Sequence, residues 1–460
     1  MADDADYRSL SLWHDTAPDS LDPRASLTSD TQVDVAIVGA GYTGLWTAYY
    51  LSELQPGIRV ALVEAEIAGF GASGRNGGWC VGGLVGMGAL LSEPGGREGA
   101  IRLQRAVFDS VDEVGRVTAR EGIDCHYAKG GSIAVARNPA HLAQLEAELA
   151  HWRGLGFGDD VRWLEPDECV ARVRTRPNLG GLFFAPCAAL HPTRLARGLA
   201  RIVEARGVSI YERSPARALE SRCIVTPAGR LRADIIVRAT EAYSGSLPRN
   251  ERTLLPLHSM MIATEPLPET AWKEIGLEQR ETFRDPRRMV IYGQRTADDR
   301  LAFGSRGFYF FGSGVRDRFA ADDAFFEVVR SNLEEFFPVL RGYRTTHRWG
   351  GAFGIPRDWR PSVGVDRATG LAWAGGYAGE GVAASNLAGR TLAELILEHE
   401  TERVSLPLVG PPFPAWEPEP LRWLGVNAVW RSGAALDAAD FSGRKPPRLH
   451  KALFDFFVDK

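Results

Sequence analysis

The first sharp pattern along the chain is Val33-Asp34-Val35-Ala36-Ile37-Val38, a short β-rich apolar run ending at Gly39. Apolar positions without alternation predict a strand buried on both faces, as in a parallel sheet. Leu45 to Leu54 reads as a helix, and Ile58 to Val63 as a second strand closing on Glu64. Together they predict a βαβ unit. After a glycine-rich loop from Gly69 to Gly88, helices are expected at 99–120, 140–152 and 191–206. Strands are expected at 208–211, 223–226 and 233–239. Alternating runs at 257–265, 288–293 and 300–305 predict an antiparallel sheet. A helix near 321–336, strands at 362–365 and 371–374, and a helix at 381–398 complete the pattern. Residues 1–30, polar and proline-punctuated around Trp13, are expected to lie on the surface as an arm. Residues 401–460 are proline-rich at 407–420 and then partly helical, and the pattern gives them no role.

The turn between the first strand and the first helix carries chemistry. Gly39-Ala40-Gly41-Tyr42-Thr43-Gly44 is GxGxxG in the setting that gives the motif meaning. Gly39 permits the tight turn, Gly41 lets the backbone approach a pyrophosphate, and Gly44 lets helix pack on strand. The helix N-terminus then offers its amides and positive dipole end to phosphates. Glu64, followed by Ala65, stands where a carboxylate accepts ribose hydroxyls. An acid there argues against a 2′-phosphate and leaves NAD and FAD both open. The loop Gly69-Phe70-Gly71-Ala72-Ser73-Gly74-Arg75-Asn76-Gly77-Gly78-Trp79 separates them. An NAD domain usually starts its next crossover helix here. This loop instead offers closely spaced amides, the Arg75 cation and little side-chain bulk, which suits a larger anionic cofactor.

Composition narrows the rest. With 54 basic against 58 acidic residues, the net charge of -4 excludes a nucleic-acid-coating protein and gives no electrostatic reason to bind an anionic membrane. The most apolar long stretch, Trp79 to Leu91, is glycine-broken and shorter than the roughly 20 residues of a membrane span. Five dispersed cysteines without CxxC predict neither a disulfide framework nor a zinc site. The N-terminus, MADDADYRSL, is acidic and without an apolar core, so no secretory signal is expected and a reducing cytoplasm is the plain reading. A chain of 460 residues predicts two domains.

Residues 71–78, GASGRNGG, resemble a stretch of the FAD-dependent amine oxidoreductases in the D-amino-acid oxidase superfamily, the gamma-glutamylputrescine oxidase-like proteins in particular. Three later segments resemble the same family in the same order. Ser214-Pro215-Ala216 is similar to the turn whose backbone meets the adenine. ADIIVRATEAYS, residues 233–244 with Ala239 and Thr240, is similar to the strand and turn flanking the FAD phosphates, with Glu241 replacing the usual small or amide residue. Gly375-Gly376-Tyr377-Ala378-Gly379-Glu380-Gly381-Val382 resembles the C-terminal flavin turn, whose following helix would face the flavin pyrimidine.

The resemblance implies an α/β fold: a Rossmann-like FAD domain drawn from 31–90, 185–250 and 350–400, with a substrate domain of antiparallel sheet and helices from 91–184 and 251–349. It implies non-covalent FAD, because the relatives' covalent flavin cysteine lies late in the chain and no cysteine follows Cys223. It places Arg75, Asn76 and Trp79 near the flavin ring. Phe353 falls where amino-acid-specific relatives carry an arginine for the substrate carboxylate, which favours an apolar wall for an amine. Ala302 and Arg306 fall where sarcosine-oxidase relatives carry an oxygen-activating lysine and a histidine, and Arg306 suits an anionic substrate tail. His258 and His347 read as packed histidines, and Glu380 as a solvated carboxylate or an attractor of a cationic amine.

The expected activity is oxidation of a primary or secondary amine, with O2 as electron acceptor. The alternatives are a dehydrogenase subunit with another acceptor and a non-catalytic flavin-binding partner. A hydroxylase lacks support because no GD-type flavin motif is present. A disulfide reductase would need a second GxGxxG and a CxxC.

Overall fold

The protein is described here from a computed structural model covering residues 7–93 and 95–458. Residues 1–6 of the expected arm, and the side chains of Arg306 and Val458, lie outside the described residues.

Val35–Val38 pairs in parallel with Val60–Val63 on one side and Ile235–Arg238 on the other. Ser209–Tyr211 extends the sheet beyond the first, and Leu371–Gly375 beyond the second. The edge strand Ser362–Asp366 alone runs antiparallel. Every residue of the three central strands is buried, which is why they read as unbroken apolar runs. Helices Tyr42–Leu54, Gly96–Arg120, Pro192–Ala205 and Gly381–Ile396 share one core with this sheet. The first of them starts at Tyr42, earlier than its apolar pattern, because Ser73 Oγ accepts the Tyr42 amide at 2.8 Å. That cap comes from a distant loop and leaves no local signal. The opposite face carries a small sheet ordered Thr31–Gln32, Gly229–Arg232, Cys223–Thr226, Ala218–Glu220.

A second, eight-stranded sheet is ordered Thr345–Ile355, Leu255–Thr264, Leu301–Arg306, Ile291–Arg295, Thr282–Arg284, Ser132–Val135, Gly181–Phe184, Val161–Leu164. Its pairs are antiparallel except Thr282–Arg284 with Ser132–Val135. The last three strands were not legible in the sequence, since four residues are too few to establish a period. Thr345–Ile355 straddles residue 350 and pairs with Leu255–Thr264 along its length. The first sheet takes up its next strand at Ser362–Asp366.

Around Trp13 the N-terminal arm is anchored in the core, although Arg8, Ser9 and Asp15 stay exposed. Leu12, Trp13 and His14 are buried in a short helix, Leu12–Asp15, capped by Ser11. Trp13 donates its indole N–H to the Asn76 carbonyl at 2.8 Å and meets Trp349 edge-on at 6.2 Å. A tryptophan with its ring enclosed and its N–H satisfied outweighs the polarity of its neighbours. The C-terminal residues form helices Leu421–Ser442 and Arg448–Val458 after a proline-rich strap. The strap is tied down by Trp416, which donates to the Ile355 carbonyl at 2.7 Å. Among the described residues no helix is long and apolar enough to cross a membrane, and no cluster suited to a metal ion occurs.

Candidate active site

The GxGxxG turn has the geometry its glycines require. Gly39 adopts φ +103, and a Cβ there would stand 2.6 Å from the Ala239 carbonyl oxygen. At Gly44 a Cβ would be driven into the Gly39 carbonyl. Helix, turn and the strand ending at Arg238 are thus held at backbone distance. Glu64 accepts the Ala40 amide at 2.8 Å and the Glu66 amide at 3.1 Å, so its carboxylate is fixed beside the turn. Burial pushes its pKa up to about 7 against those amides.

A cavity of about 540 Å³ begins beside this turn and runs between the two sheets. Its walls include Tyr42, Thr43, Ala72, Ser73, Arg75, Asn76, Gly77, Trp79, Phe353, Tyr377, Gly379, Glu380, Gly381 and Val382. Segments 42–43, 72–79, 353 and 377–382, far apart in sequence, meet on one space. Gly39, Gly41, Gly44, Glu64, Ala65, Gly71, Gly78, Ala216, Ala239, Thr240 and Gly376 are not part of its wall. Most of these shape the turns behind it. Gly78, for example, adopts φ +71 and leaves the space that the Gln294 amide and Leu190 carbonyl occupy. Arg306 ends the strand Leu301–Arg306, and the expectation for its side chain falls outside the described residues.

Arg75 is fully buried. Its Nη1 donates to the Asp317 carbonyl at 2.9 Å and carboxylate at 3.1 Å, and Phe70 lies 4.4 Å beneath the guanidinium. Its Nε and Nη2 are buried without a partner among the described residues. A buried guanidinium with two unspent N–H groups on a cavity wall suits an anionic ligand. Gly351 allows this placement, because a Cβ there would come 3.1 Å from Arg75 Cβ. Trp79 likewise keeps an unpartnered buried Nε1, and its ring meets Tyr292 edge-on at 5.9 Å.

Glu241 is the departure from the family pattern with the clearest structural use. In a left-handed conformation, φ 44, it accepts the amides of Gly354 at 2.7 Å, Gly376 at 2.9 Å and Tyr377 at 3.3 Å. One carboxylate therefore joins the strand of Phe353 to the turn of Tyr377. Burial pushes its pKa up to about 7. Tyr377 in turn shares a hydrogen bond with Thr43 at 3.0 Å, closing the ring of segments around the cavity. Helix Gly381–Ile396 starts at this turn and lays its N-terminal residues along the wall.

His258 is buried and packed, whereas His347 is half-buried. His258 accepts the Arg316 amide at 2.9 Å and faces the Phe308 carbonyl at 3.2 Å, and burial lowers its pKa to about 4. His347 meets Asp15 at 3.1 Å. Ala302 is not on the cavity wall; it packs with Trp13, Met261 and Trp349. Tyr292, Ser259, Glu148 and Arg284 line the cavity and carried no motif in the sequence. Only the alternating run at 288–293 put Tyr292 on a strand.

The geometry and the comparisons agree. Residues 34–395 match the family model "DAO: FAD dependent oxidoreductase". Gamma-glutamylputrescine oxidoreductase of Escherichia coli strain K12 is 30% identical over 380 residues, 81% of this chain and 86% of that protein. The probable oxidoreductase OrdL of Rhizobium meliloti is 32% identical over 384 residues, 81% of this chain and 84% of that protein. Among solved structures, glycine oxidase of Geobacillus kaustophilus superposes with a TM-score of 0.68 at 21% identity, over 82% of this chain and 98% of that one. L-proline dehydrogenase from P. horikoshii gives 0.67 at 16% identity, over 82% of this chain and 96% of that one. The chain belongs to the DAO family of FAD-dependent oxidoreductases.

Proposed function

We propose that the protein oxidises a primary or secondary amine, and that the cavity holds both the flavin and the reacting carbon. The observation that carries this reading is Arg75, a buried cation with two unspent donors on the wall it shares with the rings of Trp79, Tyr292 and Phe353. Non-covalently bound FAD would supply the acceptor for the hydride leaving the amine carbon, with O2 as the final electron acceptor and H2O2 as its product. The GxGxxG turn, Glu64 and Arg75 would hold the dinucleotide, and the N-terminal amides of Gly381–Ile396 would favour charge developing on it.

Trp79, Tyr292 and Phe353 form the wall that orients an amine and excludes bulk water. Glu380, on the same wall, attracts the cationic amine to the cavity. The imine product is then hydrolysed by water to an aldehyde or keto compound. Phe353 in place of a carboxylate-binding arginine favours amines over simple α-amino acids at the reacting end. We assign the FAD domain to 31–90, 185–250 and 350–400, and the substrate domain to 91–184 and 251–349. Five free, buried cysteines suit a reducing cytoplasm.

The test is anaerobic bleaching of the yellow protein by polyamines, N-methylated amines and amino acids, followed by readmission of air. Loss of the oxidised flavin band with an amine, and H2O2 on aeration, is the expected result. Ready bleaching with slow reoxidation would make the protein a dehydrogenase with another acceptor. A flavin that no amine bleaches would remove the reading.

A further inference from the structure

We propose that Trp13, in the N-terminal arm, is a positioning residue for the cofactor: its indole holds the Asn76 carbonyl and thereby keeps the Gly77 N–H aimed at an anionic group of bound FAD. The inference concerns the cofactor and stands whichever substrate is oxidised.

Five consecutive carbonyls of the glycine-rich loop are held by donors from outside it. Ser11 Oγ donates to the Gly74 carbonyl at 3.0 Å. The Trp349 indole donates to the Arg75 carbonyl at 2.9 Å, and the Trp13 indole to the Asn76 carbonyl at 2.8 Å. Gln294 Nε2 donates to the Gly77 carbonyl at 2.7 Å, and the Leu190 amide to the Gly78 carbonyl at 2.8 Å. In a planar trans peptide the C=O and N–H point in opposite directions, so each grip on an oxygen also fixes the N–H that follows it.

Most of the N–H groups fixed in this way are used inside the loop. Arg75 and Asn76 donate theirs to the Ala72 carbonyl at 3.1 and 3.0 Å, and Gly78 donates to the Asn76 side-chain oxygen at 2.8 Å. The Gly77 N–H has no acceptor among the described residues. Gly77 lies on the cavity wall and has no side chain to shield its amide, since a Cβ there would stand 2.5 Å from the Tyr292 ring. On the same wall Arg75 keeps Nε and Nη2 buried without a partner among the described residues. A cation and a backbone amide, both with unspent N–H groups, therefore adjoin on one wall, which is the chemistry of an anion site.

The arm is built to keep this grip. Trp13 is buried and meets Trp349 and His191 edge-on, at 6.2 and 5.1 Å. His14, also buried, stands where a Cβ on Gly74 would come 2.6 Å from its ring, so the short helix Leu12–Asp15 rests directly on the loop. Trp13 lies ahead of residue 34, where the family match begins, so a segment outside that match completes the cofactor loop. Without the indole N–H, the Asn76–Gly77 peptide loses its hydrogen bond and its plane is free to turn.

Two measurements test this. The first is residue-resolved hydrogen exchange on the wild-type protein with and without FAD. The Gly77 amide is expected to exchange readily in the apoprotein and at least about tenfold more slowly with FAD bound, while the Arg75 and Asn76 amides are slow in both. The second is fluorescence titration of the apoprotein with FAD. Trp13→Phe keeps a ring and loses the N–H, and is expected to weaken FAD binding by about tenfold. Trp349→Phe frees a peptide whose N–H is already spent on Ala72, and is expected to weaken it by less than about threefold. Trp272→Phe removes a buried indole N–H that has no partner among the described residues, and is expected to leave affinity unchanged. In Trp13→Phe a lowered midpoint potential of the bound flavin, alongside the lost affinity, would support an acceptor on the ring system, and an unaltered one would support an acceptor on the phosphates. Melting temperature checks that each variant is folded; should Trp13→Phe not fold, the wild-type exchange decides. Gly77 exchange unaltered by FAD, unchanged affinity in Trp13→Phe, or an equal loss in Trp13→Phe and Trp272→Phe overturns the proposal.

Discussion

Arg75 and Glu241 carry charge into the part of the molecule least able to solvate it. For Arg75 the cost of burial is offset on one side only, by Asp317, and its Nε and Nη2 are buried without a partner among the described residues. Arg75→Met is expected to weaken FAD binding by about tenfold or more, because hydrogen bonds to charged groups contribute roughly 1.5–3 kcal/mol. Fluorescence titration of the apoprotein measures it, and an unchanged affinity would remove Arg75 from the cofactor's contacts. The buried carboxyls make a pH prediction. Glu64 and Glu241 hold pKa values pushed up to about 7 from the ordinary 4.5, so the folded chain binds these protons more tightly than the unfolded one. Their contribution is complete below the unfolded value and is lost as pH rises through the folded one. The apoprotein is thus expected to melt lower at about pH 8 than at about pH 5.5, with a shallower dependence in the double variant Glu64→Gln, Glu241→Gln. An equally steep dependence in that variant would assign the effect to other groups.

At the scale of elements, the strand-turn-helix of residues 35–54 was the most legible part of the chain. An unbroken apolar strand, three glycines at fixed spacing and a terminal carboxylate are all local features. The structure adds the reason Gly44 admits no side chain, since its α-carbon stands against the Gly39 carbonyl. Gly44→Ala is expected to cost more than about 4 kcal/mol, because the obstructing atom is backbone and cannot move aside. A melting curve close to wild type, with FAD retained, would contradict that geometry. The strands at 132–135, 161–164 and 181–184 were illegible for the opposite reason. They are short and mostly buried, and their pairing partners lie outside their own segment of chain or at its far end. The burial of Trp13 was missed because one tryptophan outweighs its polar neighbours only when its pocket already exists.

Across the whole molecule, the C-terminal residues complete the site from outside. Phe413 packs where a Cβ on Gly376 would stand, backing the turn of Tyr377. Asp437, on helix Leu421–Ser442, accepts the amides of Arg288 at 2.9 Å and Met289 at 2.8 Å, and Arg288 also pairs with Asp440 at 2.6 Å. That loop supplies Asp285, Arg287 and Val290 to the cavity wall. Asp437→Ala leaves two amides without their acceptor and is expected to destabilise the fold by about 1–3 kcal/mol. Hydrogen exchange at residues 286–290 should quicken in the variant. Unaltered exchange there would mean that the helix does not hold the loop.

The sequence by itself determined the parallel sheet, the dinucleotide turn and the glycine-rich loop, because each is written in contiguous residues whose spacing is set by backbone geometry. It also supplied the order of the later segments that resemble the FAD-dependent family. Tertiary structure alone decided what meets across the cavity. Arg75 finds Asp317 some 240 positions away, Glu241 joins the strand of Phe353 to the turn of Tyr377, and Glu148 faces Arg284 from a different element. Such pairings depend on how two sheets and a strap are stacked. No local period or motif encodes that stacking, because the burial that favours it exists only after the layers have come together.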